Sequence, residues 1–319
     1  MKVKVGIIGA GHMGGTHGRN LARDERVEIV GIVDVRPEAA ARLAQELGSQ
    51  AYSSLDELFE RGIDALYVTT PNTLHLAPVT AALSRNIHVF SEKPMATSLA
   101  EARQILDAAN RSRAIYQIGF NYRFAPAHKF IKNLIEQGKL KPFHCHIKDN
   151  RGELLDPPWV SDVKMTGGYL YESTIHTLDL MMWLMGDVVD MQCVARMNVY
   201  RELDDFAILF QFANGGLGTL DSCAHASWLF PSATVEVFGE HSTVLTEEME
   251  RVRYTPGLKQ EIIEHDYFQL PVEYRWGYVE EDRLFIDAIV EGKPPAVSAA
   301  EAYRAIEMIN RCYDSARSR

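Results

Sequence analysis

The sequence predicts an α/β protein in which an N-terminal doubly wound parallel sheet is followed by an α+β domain built on a large, mainly antiparallel sheet. Three observations carry this. Short buried strand-like runs alternate with amphipathic helical ones up to about residue 120. A glycine-rich turn joins the first strand to the first helix. Beyond Asn121 the pattern changes to closely spaced strands with hairpin signals.

In order along the chain, the apolar run 3–8 leads through Gly9-Ala10-Gly11-His12-Met13-Gly14 into a helical stretch. A second apolar run, 27–33, ends in Asp34, and Arg36-Pro37 introduces a helix over 38–47. A short acidic helix follows near 54–61, with Ser53 or Ser54 as its cap. Residues 65–70 read as a buried strand ended by Pro71-Asn72, 74–85 as a helix and 87–91 as another buried strand. A helix over 98–112 presents Ala100, Ile105, Leu106 and Ala109 on one face, and 114–120 returns to strand. A parallel sheet of this kind has to be covered on both faces.

In the second half, a helix over 126–137 precedes strand candidates at 143–148, 188–199, 206–212, 217–222, 234–238 and 242–246. Asn214-Gly215 between two of them signals a hairpin. Helices over 280–290 and 299–315 are separated by Gly292, Pro294 and Pro295. The expected division is a nucleotide-binding domain over 1–121 and a substrate-binding and oligomerisation domain over 122–319, with the C-terminal helices available to pack back on the first. A sheet with helices on one face leaves its other face needing cover, so a homodimer or homotetramer joined through it is expected.

Composition narrows the classes. The 319 residues are enough for two domains, and 46% hydrophobic with 24% charged residues describes an ordinary globular protein. A formal charge of −10 without a basic run argues against a nucleic-acid partner. The widely spaced Cys145, Cys193, Cys223 and Cys312 read as small buried hydrophobes in a reducing compartment rather than as a disulfide or zinc framework. With no secretory-type apolar run at the start and no stretch near the ~20 residues of a membrane span, cytoplasmic residence and no membrane partner are expected.

The glycine turn has the setting that a dinucleotide pyrophosphate needs. Gly9 suits a tight turn, Gly11 a close approach of backbone to phosphate, and Gly14 the packing of helix on strand, with the helix N-terminus facing the anion. Asp34, twenty residues beyond Gly14, is placed to accept hydrogen bonds from both ribose hydroxyls. Its charge favours NAD, whereas Arg36 would tolerate the extra phosphate of NADP; NAD is the expected cofactor. The cofactor-binding set is therefore Gly9, Gly11, His12, Met13, Gly14, Asp34 and Arg36, joined by Thr70, Pro71, Asn72, His75, Glu92 and Lys93 at the ends of later strands.

Lys93, in Ser91-Glu92-Lys93-Pro94, follows a strand end where such a sheet presents groups to the nicotinamide. Alone it reads equally as a solvated loop lysine. Together with Thr69-Thr70-Pro71-Asn72 and His75 it reads as a cationic donor aimed at a substrate oxygen. The Lys93-Pro94 bond is open to either isomer.

These segments, with Gly119-Phe120-Asn121-Tyr122-Arg123, with Gly167-Gly168 followed by Glu172, His176 and Asp179, and with the tail Phe285-Ile286-Asp287-Ala288-Ile289, resemble in order and spacing the Gfo/Idh/MocA oxidoreductases. The likeness covers almost the whole chain. It implies an N-terminal Rossmann domain and NAD(P)-dependent oxidation or reduction of sugars, cyclitols or their derivatives. The family commonly has aspartate four residues before the histidine; this chain has Glu172, one methylene longer.

On a regular helix Glu172, His176 and Asp179, at intervals of four and three, share one face. A histidine suits proton transfer near neutral pH, and a nearby carboxylate orients it. The expected catalytic residues are Lys93, His176 and Glu172: His176 takes the proton of a secondary alcohol as hydride leaves for NAD⁺, and Lys93 stabilises the oxyanion. Arg123, Asn150, Arg151, Trp159 and Asp179 are the candidates for holding the rest of a polyol. No histidine or cysteine motif supports a metal, and none is expected. Two other readings of the scaffold are an NAD-requiring glycoside hydrolase and a dinucleotide-binding regulator that senses a ligand; retention of both Lys93 and His176 argues against the second.

Overall fold

The computed structural model describes residues 2–150, 158–227 and 231–318. The chain divides into two compact units, Met1–Phe120 with Tyr278–Ile306, and Asn121–Gly277 with Glu307–Arg319.

The first unit begins β1 (Val3–Ile8), α1 (His12–Ala22), β2 (Val27–Val33), α2 (Pro37–Glu46), β3 (Gln50–Tyr52), α3 (Leu55–Glu60) and β4 (Ala65–Val68). It continues through α4 (Leu76–Ser84), β5 (His88–Glu92), α5 (Leu99–Arg111) and β6 (Tyr116–Gly119). The strands pair in parallel in the order β3-β2-β1-β4-β5-β6. The winding therefore reverses between β1 and β4, whose carboxyl ends flank the crevice where such sheets bind ligands. Burial follows from this layering: all four residues of β4 are buried, as a strand covered on both faces requires. Ser54 caps α3 by accepting the Glu57 N–H, while Ser53 bonds back to the Glu57 carboxylate, completing a reciprocal cap.

The second unit contains α6 (Pro126–Glu136), β7 (His144–Asn150), α7 (Val163–Thr166), α8 (Ile175–Met185), β8 (Val188–Arg196), β9 (Asp205–Phe212), β10 (Leu217–Cys223), β11 (Ala233–Phe238), β12 (Thr243–Glu247), β13 (Arg251–Thr255), β14 (Ile263–Asp266) and α9 (Val272–Arg275). Among the described residues its eight strands run in the order β14-β13-β12-β11-β7-β10-β9-β8. Every pairing is antiparallel except β7 with β10. Along β9 the period is two: Phe206, Ile208, Phe210 and Phe212 are buried while Ala207 and Leu209 face out. Val189, Val194, Val199, Leu209 and Leu217 are exposed apolar residues of β8 to β10 and the turn after β8.

Two helices close the chain. α10 (Tyr278–Glu291) packs in the first unit, where Phe285 and Ile286 join the core of Ile7, Leu21, Tyr67 and Phe90. The boundary between the units falls inside α11 (Ala299–Arg317).

The structure departs from the sequence reading in several places, the short helices α7 and α9 among them. β3, β13 and β14 are additional strands; the first has three residues, and Arg251-Val252-Arg253 and the exposed edge strand β14 lack an apolar run long enough to announce them. β8 stops at Arg196 rather than 199, because the Asp204 carboxylate takes the N–H groups of Asn198, Val199 and Tyr200 and turns the chain. The regular helix expected to carry Glu172, His176 and Asp179 opens instead with a π-helical turn, Leu170–Thr174, before α8.

Candidate active site

At the end of β1 three glycines are required for two different reasons. A Cβ on Gly9, whose φ is +100°, would lie 2.5 Å from the Thr69 carbonyl oxygen, and one on Gly14 would lie 2.0 Å from the Gly9 carbonyl oxygen. Both are dictated by the protein's own packing. A Cβ on Gly11 would meet nothing within 4 Å, so that glycine serves the open space at the N-terminus of α1. The same end carries no side-chain cap and no acidic residue in its first turn, which suits an anion. His12 is exposed and Met13 half-buried in that turn.

Asp34 follows β2. Its Oδ2 accepts the Ala10 N–H at 2.7 Å and its Oδ1 the Arg36 N–H at 2.8 Å. Although burial opposes ionisation, these bonds and the Arg36 charge hold the carboxyl below its usual range. The Arg36 Nε lies 3.4 Å from the same carboxylate, so its charge is turned toward Asp34. At the end of β4, the Thr69 hydroxyl reaches the Ile8 and Gly9 carbonyl oxygens, whereas the buried Thr70 hydroxyl oxygen has no hydrogen-bond partner among the described residues. The open cradle at Gly11, the ionised Asp34 and the orphaned Thr70 hydroxyl together fit a dinucleotide.

His75 and Glu92 stand apart from the rest of the expected cofactor set. His75 is fully enclosed between two loops, with Nδ1 2.8 Å from the Pro94 carbonyl oxygen and Nε2 2.9 Å from that of Thr70. Burial lowers its basicity, so the neutral ring donates to one of the two at a time. It thereby links the end of β4 to the turn that carries Lys93, whose bond to Pro94 is cis. Glu92 is likewise buried, with its oxygens on His17 Nε2 at 3.0 Å and on the Lys93 N–H at 3.1 Å. Pro71 precedes a 3₁₀ turn, Asn72–Leu74, that buries Asn72.

In the second unit Gly167 (φ +85°) ends α7, and a Cβ on Gly168 (φ +116°) would lie 2.5 Å from the Tyr313 hydroxyl. The π turn that follows, Leu170–Thr174, carries Glu172, which is half-buried there. His176, in the first turn of α8, is half-buried and stacks on Tyr122, with centroids 4.5 Å apart and planes 13° apart. Asp179, one turn on, is buried against Arg123: Nε to Oδ2 is 2.7 Å and Nη2 to Oδ1 is 2.6 Å. That pair is bidentate and buried, so each residue's charge is turned on the other. Asn150 ends β7 with its side-chain oxygen accepting the Cys223 N–H at 3.2 Å. Arg151 and the side chain of Trp159 lie outside the described residues. A cavity lined by Tyr122, His128, Thr177 and Glu248 holds about 10 Å³, room for one water and far too little for a sugar.

His17, Glu281 and Asp282 are titratable residues around Glu92 that the sequence reading missed. The available signal was a histidine on α1 at helical spacing between Gly14 and Leu21, on the apolar face, where a polar group needs partners. Among the described residues, no group of three or more His, Cys, Asp or Glu is placed to hold a metal, and no helix is long and apolar enough to cross a membrane.

A doubly wound sheet with this turn and this acid defines a dinucleotide-binding scaffold. Residues 3–120 match the family model described as oxidoreductase family, NAD-binding Rossmann fold, and residues 132–319 match its C-terminal alpha/beta domain, so the chain belongs to the Gfo/Idh/MocA oxidoreductase family. It is an NAD-dependent oxidoreductase. It is 27% identical to a myo-inositol 2-dehydrogenase of Thermotoga maritima over 95% of this chain and 93% of that one. Among solved structures, a probable dehydrogenase from Thermotoga maritima is 28% identical with a TM-score of 0.85, covering 99% of this chain and 97% of that one. Levoglucosan dehydrogenase in complex with NADH and levoglucosan shares the fold, at 22% identity and a TM-score of 0.91, over 100% and 98% of the two chains.

Proposed function

We propose that the protein is an NAD-dependent dehydrogenase of a secondary alcohol on a cyclitol or sugar, with His176 as the acid-base group and Lys93 as the polarising cation. The observation that carries this is the pairing of the cradle at Gly11 with a lysine at the end of β5, in a chain similar along 95% of its length to an inositol dehydrogenase. Gly9 to Gly14, Asp34 and Thr70 hold NAD, with Pro71 and Asn72 beside them. When bound, NAD supplies the hydride acceptor.

The residues supply the rest. Lys93 Nζ donates to the substrate oxygen and stabilises the charge that develops as the O–H bond breaks. His176 takes that proton on a ring nitrogen; its stack on Tyr122 fixes the ring plane. Glu172, in the π turn ahead of α8, stays the third catalytic candidate beside Lys93 and His176. Arg123 and Asp179 support α8 from below, and Asn150 stays a candidate substrate residue. The exposed apolar face of β8 to β10 joins subunits in a dimer or tetramer; a monomer in light scattering would remove that part. Four free thiols, three of them buried, suit residence in the cytoplasm.

The test is a panel of polyols, aldoses and glycosides offered with NAD⁺ and with NADP⁺, read by absorbance of the reduced cofactor. Net NADH from a polyol supports the reading. Glycoside cleavage without net NADH would point to the hydrolase, and inertness to every polyol would overturn the proposal.

A further inference from the structure

Behind the strand end that carries Lys93 lies a buried chain of charges that the proposed mechanism does not use. His17, on the covered face of α1, has no exposed surface. Its Nδ1 lies 2.7 Å from Asp282 Oδ1 on α10 and its Nε2 3.0 Å from Glu92 Oε1 at the end of β5. The second Glu92 oxygen accepts the Lys93 N–H at 3.1 Å. Asn20, one turn along α1, donates to Asp282 Oδ2 at 2.9 Å. The Tyr67 and Phe90 rings stand 5.6 and 4.9 Å from the imidazole and keep it dry.

With a carboxylate at each nitrogen, both nitrogens donate and the ring is an imidazolium. Burial alone would make it less basic, but Asp282 and then Glu92 outweigh that and hold it well above the usual histidine range. Glu92 is held low in return, since His17 and the Lys93 charge outweigh its own burial.

A buried ion pair is weak evidence of a stabilising purpose, because apolar residues of similar size serve a core as well or better. What charged hydrogen bonds supply that an apolar core does not is direction. We infer that His17 is a positioning residue for Lys93: held by Asp282, it fixes the Glu92 carboxylate, whose other oxygen fixes the Lys93 backbone from which the ammonium is presented. This rests on the reading of Lys93 as the group that polarises the substrate oxygen.

The experiment measures kcat and KM for the best polyol of the panel, and NADH affinity by fluorescence, in His17→Ala, His17→Gln, Glu92→Gln and Lys93→Met. The expected result is a fall in kcat of about 10- to 100-fold in His17→Ala, the usual scale for losing a partner of a site residue, with KM and NADH affinity unchanged. His17→Gln, which can still donate to Glu92, recovers part of the rate. Adding His17→Ala to Lys93→Met costs nothing further. If His17→Ala does not fold, Glu92→Gln keeps an oxygen for the Lys93 N–H but loses the charged pairing, and its kcat falls similarly. Wild-type kcat in His17→Ala or Glu92→Gln beside an inactive Lys93→Met overturns this inference alone. A fully active Lys93→Met overturns the reading of Lys93 and the inference with it.

Discussion

The imidazole of His176 lies flat on the ring of Tyr122, 4.5 Å away, so the proposed base takes its plane from the residue that precedes Arg123 in the chain. An aromatic pair of this kind contributes about 0.5–1.5 kcal/mol. If that energy holds the ring in its working plane, Tyr122→Ala lowers kcat by up to about tenfold, whereas Tyr122→Phe, which keeps the stack, stays near wild type. Steady-state kinetics with the same polyol checks both. Equal losses in the two variants would assign the effect to the hydroxyl instead.

The three glycines of the first turn are expected to fail in different ways. Gly14→Ala drives a methyl to within 2.0 Å of the Gly9 carbonyl oxygen and should lower the melting temperature. Gly11→Ala meets no protein atom, should melt like the wild type, and should lose most of its affinity for NADH. Thermal unfolding and fluorescence titration, run side by side, separate them. A Gly11→Ala variant that binds NADH normally would remove the cradle from the account.

Arg123 and Asp179 form a buried pair whose single removal leaves an uncompensated charge. Asp179→Ala should destabilise by about 3–5 kcal/mol, while the double variant Arg123→Met with Asp179→Leu should cost less than either alone. Denaturant unfolding measures this. A stable, merely slow Asp179→Ala would return Asp179 to the substrate site.

Glu281 gives a pH-dependent prediction. It is fully enclosed beside Asp282, and among the described residues neither carboxyl oxygen has a hydrogen-bond partner. Burial first, then the Glu92 and Asp282 charges, hold it well above the usual carboxyl range against the attraction of His17. A group raised on folding contributes fully below its unfolded value, near pH 4.5, and progressively less as pH rises toward its folded value. Glu281→Gln removes that loss. The variant's stability gain should be absent near pH 4 and grow by about 1.4 kcal/mol per pH unit above it, until the folded group ionises. A pH-independent difference in unfolding free energy would show that Glu281 is ionised in the native state.

Legibility in the sequence followed the physics of each feature. The doubly wound sheet was readable because β4 is buried along its whole length and β1 and β2 are apolar apart from one exposed charge each, Lys4 and Glu28. Gly9, Gly11 and Gly14 were readable because Gly9 and Gly14 answer close packing and Gly11 an open approach to the helix N-terminus. The π turn before His176 was not, since its residues differ in no evident way from those of an α-helix. Nor were the His17 bridge, whose partner Asp282 lies 265 residues away, and the retirement of His75 and Asp179 into the interior. A residue's type states which partners it needs, and only the fold states whether a ligand or the protein provides them.

The central claim is that one imidazole moves the proton of the alcohol while NAD binding stays independent of it. The most direct measurement compares NADH affinity and polyol turnover in His176→Ala. The account predicts wild-type affinity with turnover reduced by about 10² to 10⁴, the range of general acid-base catalysis. Full turnover in that variant would contradict it.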